Sequence, residues 1–385
     1  MRVYADNAAT TKISPSALKA MVDAYETCFA NPSSLHHFGQ EALSLLSNSR
    51  IKILNNIGAI HHDYLIFTSG GSESDNQAIE IFKREGLKNN KTHIISSKIE
   101  HHAILHSLDR LANEGFEIEL LDVDENGLIN PEALQKAIRA DTVGVSIMFA
   151  NNEIGTIEPV KELGRICREK GVLFHTDAVQ AVGHLPINVK EMNIDLLSAS
   201  AHKFHGPKGI GFLYVNRNVV PTSLIVGGGQ EYGYRAGTEN VPAIAGMEKA
   251  LSDAVTNLEE KVKNTRAKAV RIINELLKIK EVKLNGDTVH RSPGNINISV
   301  KGVDGDSLRY LIEAEGIAVS AGSACNAKSK APSHVLKAIG LDDDLAKSSI
   351  RLSIDETLTD TELDYLIKGI VKSIKALTES ESLIK

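Results

Sequence analysis

Lys203 and Asp177 are the residues whose surroundings first suggest chemistry. Lys203 lies in Ser198–Gly211, SASAHKFHGPKGIG, directly after the short apolar run Asp195–Leu197. Gly and Pro after Lys203 predict a loop, and Ile210–Val215 predicts a returning strand. The lysine thus stands at a strand-to-loop junction among Ser200, His202 and His205. An amine in such company loses its proton more readily than one in bulk water. The neutral form is a nucleophile that makes a Schiff base with an aldehyde. A solvated surface lysine beside a turn would look similar. The upstream stretch Val172–Gln180, VLFHTDAVQ, tips the balance: another apolar strand, it ends at His175, Asp177 and Gln180. A carboxylate at a strand end, in the same sheet as a Schiff-base lysine, is what pyridoxal phosphate requires, because it keeps the pyridine nitrogen protonated and the ring an electron sink.

Such groups need a frame. The chain alternates apolar strands with amphipathic helices, which predicts an α/β fold with a mostly parallel sheet. Each strand ends in a polar cluster. Leu65–Thr68 leads into Ser69-Gly70-Gly71-Ser72-Glu73 and a helix over Asp75–Lys83. A glycine turn before a helix start is an anion site, since the backbone N–H groups and the helix dipole both favour phosphate. No GxGxxG or GxxxxGK[ST] motif is present, so a dinucleotide or nucleotide-triphosphate site is disfavoured. His93–Ser96 leads to His101, which could stack on a flat ring, and Val143–Phe149 leads to Asn152. In such sheets ligands bind beyond the strand C-termini. Thr68–Ser72, His101, Asn152, Asp177–Gln180 and Ser200–Lys203 are all expected on that edge.

The rest of the chain predicts a helix over Ser16–Phe29 with Cys28 on its apolar side, a loop over Asn31–Gln40, and a helix from Glu41 to Ile57. Val160–Lys170 reads as a helix whose stripe of Leu163, Ile166 and Cys167 makes that thiol core. The glycine-rich Gly227–Asn240 carries Arg235 and Thr238. One long helical region, Val241 to Lys278, leads into a second unit with strands at Val282–Leu284, Gly294–Val300 and Ile350–Ile354. The predicted division is a large domain over 15–255 and a smaller α+β domain from 1–14 and 256–385. Cys325 lies in Ala318–Pro332, AVSAGSACNAKSKAP, where no apolar periodicity surrounds it. Its setting reads as an exposed loop beside Lys328 and Lys330. Positive charge favours the thiolate, the reactive form. No CxxC or Cys/His spacing supports a zinc site.

With 385 residues, 42% of them hydrophobic, the chain can bury a sizeable core. A net charge of -6 without a basic tract gives no sign of nucleic-acid or membrane-surface binding. No apolar run reaches spanning length, and the first residues lack the pattern of a secretory signal. Three cysteines are too few for a disulfide framework and fit a reducing, cytoplasmic setting.

In order along the chain stand YADNAATT, NPSSLHHFG, FTSGGSESDN, IEHHAI, NNEIGTI, FHTDAVQ, SAHKFHGPKG, GGGQE…RAGTENV, SAGSACNAKSKAPSHVLKAIGL and SIRLSI. Together they span essentially the whole sequence, which resembles class I cysteine desulfurases, the NifS/IscS-like group of fold-type I pyridoxal-phosphate enzymes. The resemblance implies a homodimer that converts L-cysteine to L-alanine and passes sulfur to an acceptor protein, such as an iron–sulfur scaffold or a tRNA-thiolation enzyme. Lys203 is then the Schiff-base lysine, Asp177 the partner of the pyridinium nitrogen, and His101 the stacking ring and a proton acceptor. Gly71, Ser72, Ser200 and His202 would hold the phosphate, with Thr238 reaching it from the partner subunit. Gln180 and Asn152 would lie at the phenolic oxygen. Arg351, with Asn31 and Asn152, would receive the substrate carboxylate, and Cys325 would carry the persulfide. No resident metal is implied, although a thiol in this role could transiently ligate an iron–sulfur cluster. Tyr232 and Tyr234 stand where the family pattern leads one to expect arginines. A selenocysteine lyase or a pyridoxal-phosphate aminotransferase would share the ring site without needing Cys325 as sulfur carrier. A non-enzymatic scaffold would not need Lys203, Asp177 and Cys325 together.

The contrast among the three thiols predicts that alkylation of the native protein labels Cys325 before Cys28 and Cys167. Peptide mass spectrometry after brief treatment checks the order.

Overall fold

Helix starts are set by side chains that accept the free N–H groups of the first turn. The computed structural model describes residues 1–321 and 331–382. After β1 (Val3–Tyr4), Ser14 caps α1 (Pro15–Thr27), with Pro15 where no N–H is needed. His36 caps α2 (His37–Asn56), which therefore begins inside the expected loop over 31–40. The alternating stretch follows: β2 (Tyr64–Thr68), α3 (Gly71–Asn89), β3 (His93–Ser97), α4 (His102–Asn113), β4 (Glu117–Leu121), α5 (Pro131–Ala137), β5 (Thr142–Ser146), α6 (Val160–Lys170), β6 (Leu173–Asp177), β7 (Leu196–Ser200) and β8 (Gly211–Val215). Next come α7 (Val241–Val255), α8 (Leu258–Leu276), β9 (Val282–Asn285), β10 (Asn295–Val300), α9 (Gly305–Ala314) and β11 (Ile317–Ala318). The last elements are α10 (His334–Ala338), α11 (Asp343–Lys347), β12 (Ser349–Ser353) and α12 (Asp360–Ser382).

The expected single helix over 241–278 is two. Asn257 takes a left-handed conformation, φ 55°, and breaks it between α7 and α8. Asparagine tolerates that region better than most residues.

Seven strands form the main sheet in the order β2-β8-β7-β6-β5-β3-β4. Only β8 runs against its neighbours. Both faces are covered, so the strands read as unbroken apolar runs. Leu65 and Phe67 of β2 join one core cluster, which also holds Phe174, Ala199 and Phe212; Ile66 joins the opposite one, with Phe82, Ile94 and Leu213. A separate cluster under the antiparallel sheet β12-β10-β9 includes Ile272, Ile298, Leu352 and Leu366. Cys167 is buried as expected, while Cys28 is only half-buried, because Val22 and Tyr25 beside it face outward. Among the described residues no helix is long and apolar enough to cross a membrane.

The loop over 227–240 is pinned to the β2 side of this sheet. Arg50 is buried and paired bidentately with Glu231, at 2.8 and 2.7 Å. Glu231 also accepts from the Phe67 amide at 2.9 Å, and Arg50 donates to the Leu65 carbonyl. The guanidinium lies between the Phe67 and Tyr232 rings, 4.6 and 5.0 Å from their centres. Tyr234 meets Tyr64 edge-on at 5.7 Å. Arg235 pairs with Glu73 at 2.9 Å, and Gln77 donates to the Tyr234 carbonyl. Both tyrosines thus pack at the loop's anchor, Tyr232 against Arg50 and Tyr234 against Tyr64.

Glu231→Ala leaves the Arg50 charge buried without its partner, a change worth about 3–5 kcal/mol. Thermal unfolding should show a clearly lowered midpoint, and Glu231→Gln, which keeps an acceptor, a smaller loss.

Candidate functional site

Parallel strands put their carboxyl ends on one edge, and a cavity of about 230 Å³ opens there. Gly71, Ser72, His101, Asn152, Asp177, Gln180, Ser200, His202, Lys203 and Arg351 all line it. These come from the ends of β2, β3, β5, β6 and β7, with Arg351 from β12. The expected convergence is thus present for every strand end singled out. Asn31 and Thr238 are not among the lining residues, and both are exposed. The Asn31 carboxamide instead accepts from the Ser33 amide at 2.9 Å, the bond of a local turn. Cys325 lies outside the described residues.

The helix expected from Asp75 begins at Gly71, so its first N–H groups sit at the cavity itself. A Cβ on Gly71 would come within 2.6 Å of Val179 Cγ2, and one on Gly211 within 2.4 Å of the Ala199 carbonyl oxygen and 2.8 Å of Gly70 Cα. Both glycines keep the turn tight. Ser200 and His202 flank it, with His202 Nδ1 3.1 Å from Thr10 Oγ1. Burial, with Lys203 and Lys208 close by, pushes the His202 ring down to about 4, so it is neutral near pH 7.

Lys203 closes a short 3-10 turn over Ala201–Lys203, and its Nζ donates to the carbonyls of Ala8 at 2.5 Å and Ala9 at 2.9 Å. Gln180 Nε2 reaches the same Ala8 carbonyl at 3.0 Å. Asp177 ends β6, nearly buried, and accepts from the Val179 amide at 2.9 Å. Burial raises its carboxyl, while His101, that amide and Lys203 pull it back. His101 caps α4 by accepting from the Ala103 amide at 3.1 Å. Burial holds its ring below the usual histidine range.

Three further residues in and around the site were given no role by sequence reasoning. Asp75 lines the cavity with one oxygen buried and without a hydrogen-bond partner; burial and the nearby Asp177 charge raise it well above the carboxylate range. Beneath it, the buried His175 bridges Ser146, 2.9 Å away, and Ser198, 3.0 Å away, and burial drops its ring to about 3. Glu100, directly before His101, accepts from Ser97 Oγ at 2.6 Å and the Met148 amide at 3.0 Å. His175 carried a clue as a polar residue on an apolar strand, whereas Asp75 on α3 and Glu100 in the loop before α4 carried none.

A pyridoxal ring asks for an anion cradle, a carboxylate at its nitrogen and an amine at its aldehyde. Gly71, Ser72, Ser200 and His202 offer the first, Asp177 the second and Lys203 the third. The donor set fits pyridoxal phosphate, and with the sheet it defines a fold-type I pyridoxal-phosphate-dependent transferase.

The family model described as Aminotransferase class-V matches residues 3–366. A "Cysteine desulfurase IscS" from Clostridium botulinum (strain Hall) is 46% identical over 387 aligned positions, covering 99% of this chain and 96% of the relative. One of the same name from Methanosarcina thermophila is 44% identical, covering 97% and 92%. A solved structure of a "NifS-like protein" superposes with a TM-score of 0.91 at 36% identity, covering 98% of this chain and all of the other. The chain belongs to the class-V aminotransferase family, in its NifS/IscS-like cysteine desulfurase branch.

Burial raises Glu100 to about 8, far above a free carboxyl. The folded state therefore keeps a proton that the unfolded chain gives up above about pH 4.3, and stability from this group is lost as pH rises toward 8. Glu100→Gln, which cannot ionise, should gain stability relative to the parent across that window and no further above it. Melting temperatures of the pair between pH 5 and 9 check the trend.

Proposed function

We propose that this chain takes sulfur from L-cysteine, releases L-alanine and holds the sulfur as a persulfide on Cys325. The observation that carries the proposal is the convergence of Lys203, Asp177, His101 and the buried Arg351 on one cavity. The family's pyridoxal phosphate supplies, when bound, an aldehyde for amines and a ring that stores electrons. Gly71, Ser72, Ser200 and His202 would hold its phosphate, Asp177 would pair with its nitrogen, Gln180 and Asn152 would serve its phenolic oxygen, and His101 would stack on the ring.

Arg351 receives the substrate carboxylate by its planar fork of donors, assisted by Asn152, which lines the same cavity. Lys203 Nζ, released from the Ala8 and Ala9 carbonyls, takes the Cα proton. His101, held neutral by burial, is ready to accept the substrate thiol proton. The Cys325 thiolate then attacks the substrate sulfur. A sulfur–sulfur bond forms as the substrate's carbon–sulfur bond breaks, and the carbon fragment ends as alanine after protonation.

The region 15–255 is the cofactor-binding unit, and 1–14 with 256–385 brings Cys325 and Arg351 to it. The working form is a cytoplasmic homodimer in which Thr238 of one subunit reaches the phosphate of the other. The pinning of the 227–240 loop by Arg50 and Glu73 supports that role. The sulfur goes to an acceptor protein of iron–sulfur assembly or tRNA thiolation.

Cysteine carrying radiolabelled sulfur tests the assignment. The wild type should form alanine and place label on the Cys325 peptide. Cys325→Ser should keep the yellow absorbance of the loaded protein yet release almost no alanine, since a serine hydroxyl stays protonated and is a poor nucleophile. Lys203→Ala should lose both. Label on Cys28 or Cys167, or normal turnover by the serine variant, would be incompatible with this function for Cys325.

A further inference from the structure

Arg351 is 1% exposed, and its charge must be met inside the protein. Asp6 Oδ1 accepts from Nη2 at 2.8 Å, and the Asn152 carbonyl accepts from Nη1 at 2.9 Å. Nε is buried without a hydrogen-bond partner among the described residues. The guanidinium thus already holds one carboxylate and keeps donors to spare at the cavity that it lines.

Asp6 is fastened in place. The Tyr4 hydroxyl reaches the Asp6 carbonyl at 3.1 Å and the Thr10 carbonyl at 2.8 Å. The backbone bridges Asp6 to Ser353, two residues beyond Arg351, and β1 is paired in parallel with β11. These contacts hold the Asp6 backbone beside β12 and so keep its carboxylate within reach of Arg351. A carboxylate arriving at Arg351 therefore meets a cation already paired with an anion, and two carboxylates at one guanidinium repel each other.

We propose that Asp6 is a positioning residue that sets how strongly Arg351 grips a carboxylate, keeping the site's hold on substrate and product weak enough for turnover. This rests on the reading of Arg351 as the carboxylate receiver. Without ligand, Asp6 neutralises and orients a buried cation. With ligand present, it competes for that cation. A neutral residue that still accepts a hydrogen bond separates the two roles: it keeps the orientation and removes the competition.

The test is titration of the loaded protein with L-alanine, followed by visible absorbance and by calorimetry. Asp6→Asn should lower the L-alanine dissociation constant by about tenfold, the scale on which a close like charge acts. The KM for L-cysteine should fall with it, while kcat does not rise. Asp6→Ser, which removes the same charge with a smaller side chain, should tighten binding in the same direction and serves if the asparagine variant folds poorly. In an Arg351→Gln background, Asp6→Asn should change nothing. Unchanged or weaker L-alanine binding in both Asp6 variants overturns the proposal, as does equal tightening without Arg351. Failure of the underlying reading has its own signature: Arg351→Gln alone would bind L-alanine as the wild type does.

Discussion

Strand register between β6 and β7 places Asp177 opposite Ser198, and everything at the cavity depends on it. Side chains alternate along a strand, so a slip of one residue would send Asp177 to the other face. The same alternation puts His175 on the Asp177 face, bonded to Ser198, and Phe174 into the opposite core. Lys203 follows on the turn that leaves β7. The antiparallel β8 then returns so close to the β2 turn that Gly211 has no room for a side chain against Gly70. Register, turn and close approach act together: one positions the carboxylate, the next the amine, and the last the anion cradle.

Around that frame the protein separates charges by neighbourhood. Glu100 and Glu158 are buried among neutral donors and pushed up to about 8. Asp177 is buried as well, yet it has His101 and Lys203 beside it. Burial alone would leave these acids alike; position relative to a cation makes one of them suited to carry charge. Arg351 is the converse case, a buried cation made tolerable by Asp6.

Lys203, Asp177, His101, Asn152 and the Gly71–Ser72 turn were legible in sequence because each follows an apolar run, and parallel strands share one edge. The α6 span was legible for a local reason: its apolar stripe stops at Gly171, which takes the left-handed cap. Other features lacked local marks. The α7–α8 break falls at Asn257 with the amphipathic pattern running through it. The α2 start is capped by His36, a rare choice. Asp75 belongs to a helix whose first turn looked like loop. Cys28 shared spacing with apolar neighbours that turn outward. The Asp6–Arg351 and Arg50–Glu231 pairs join residues 345 and 181 positions apart, and no periodicity reports such a contact.

The seam between the first residues and β12 orders events on the ribosome. Residues 71–203, which supply most of the cavity wall, are synthesised well before Arg351. Asp6 emerges first and then waits for a partner 345 residues later. At roughly 5–20 residues per second, that wait lasts on the order of tens of seconds. A nascent chain can therefore shape the anion cradle while it still lacks the buried cation that would grip an amino-acid carboxylate. The Asp6–Arg351 pair therefore forms late in synthesis, after the residues of the anion cradle have been made.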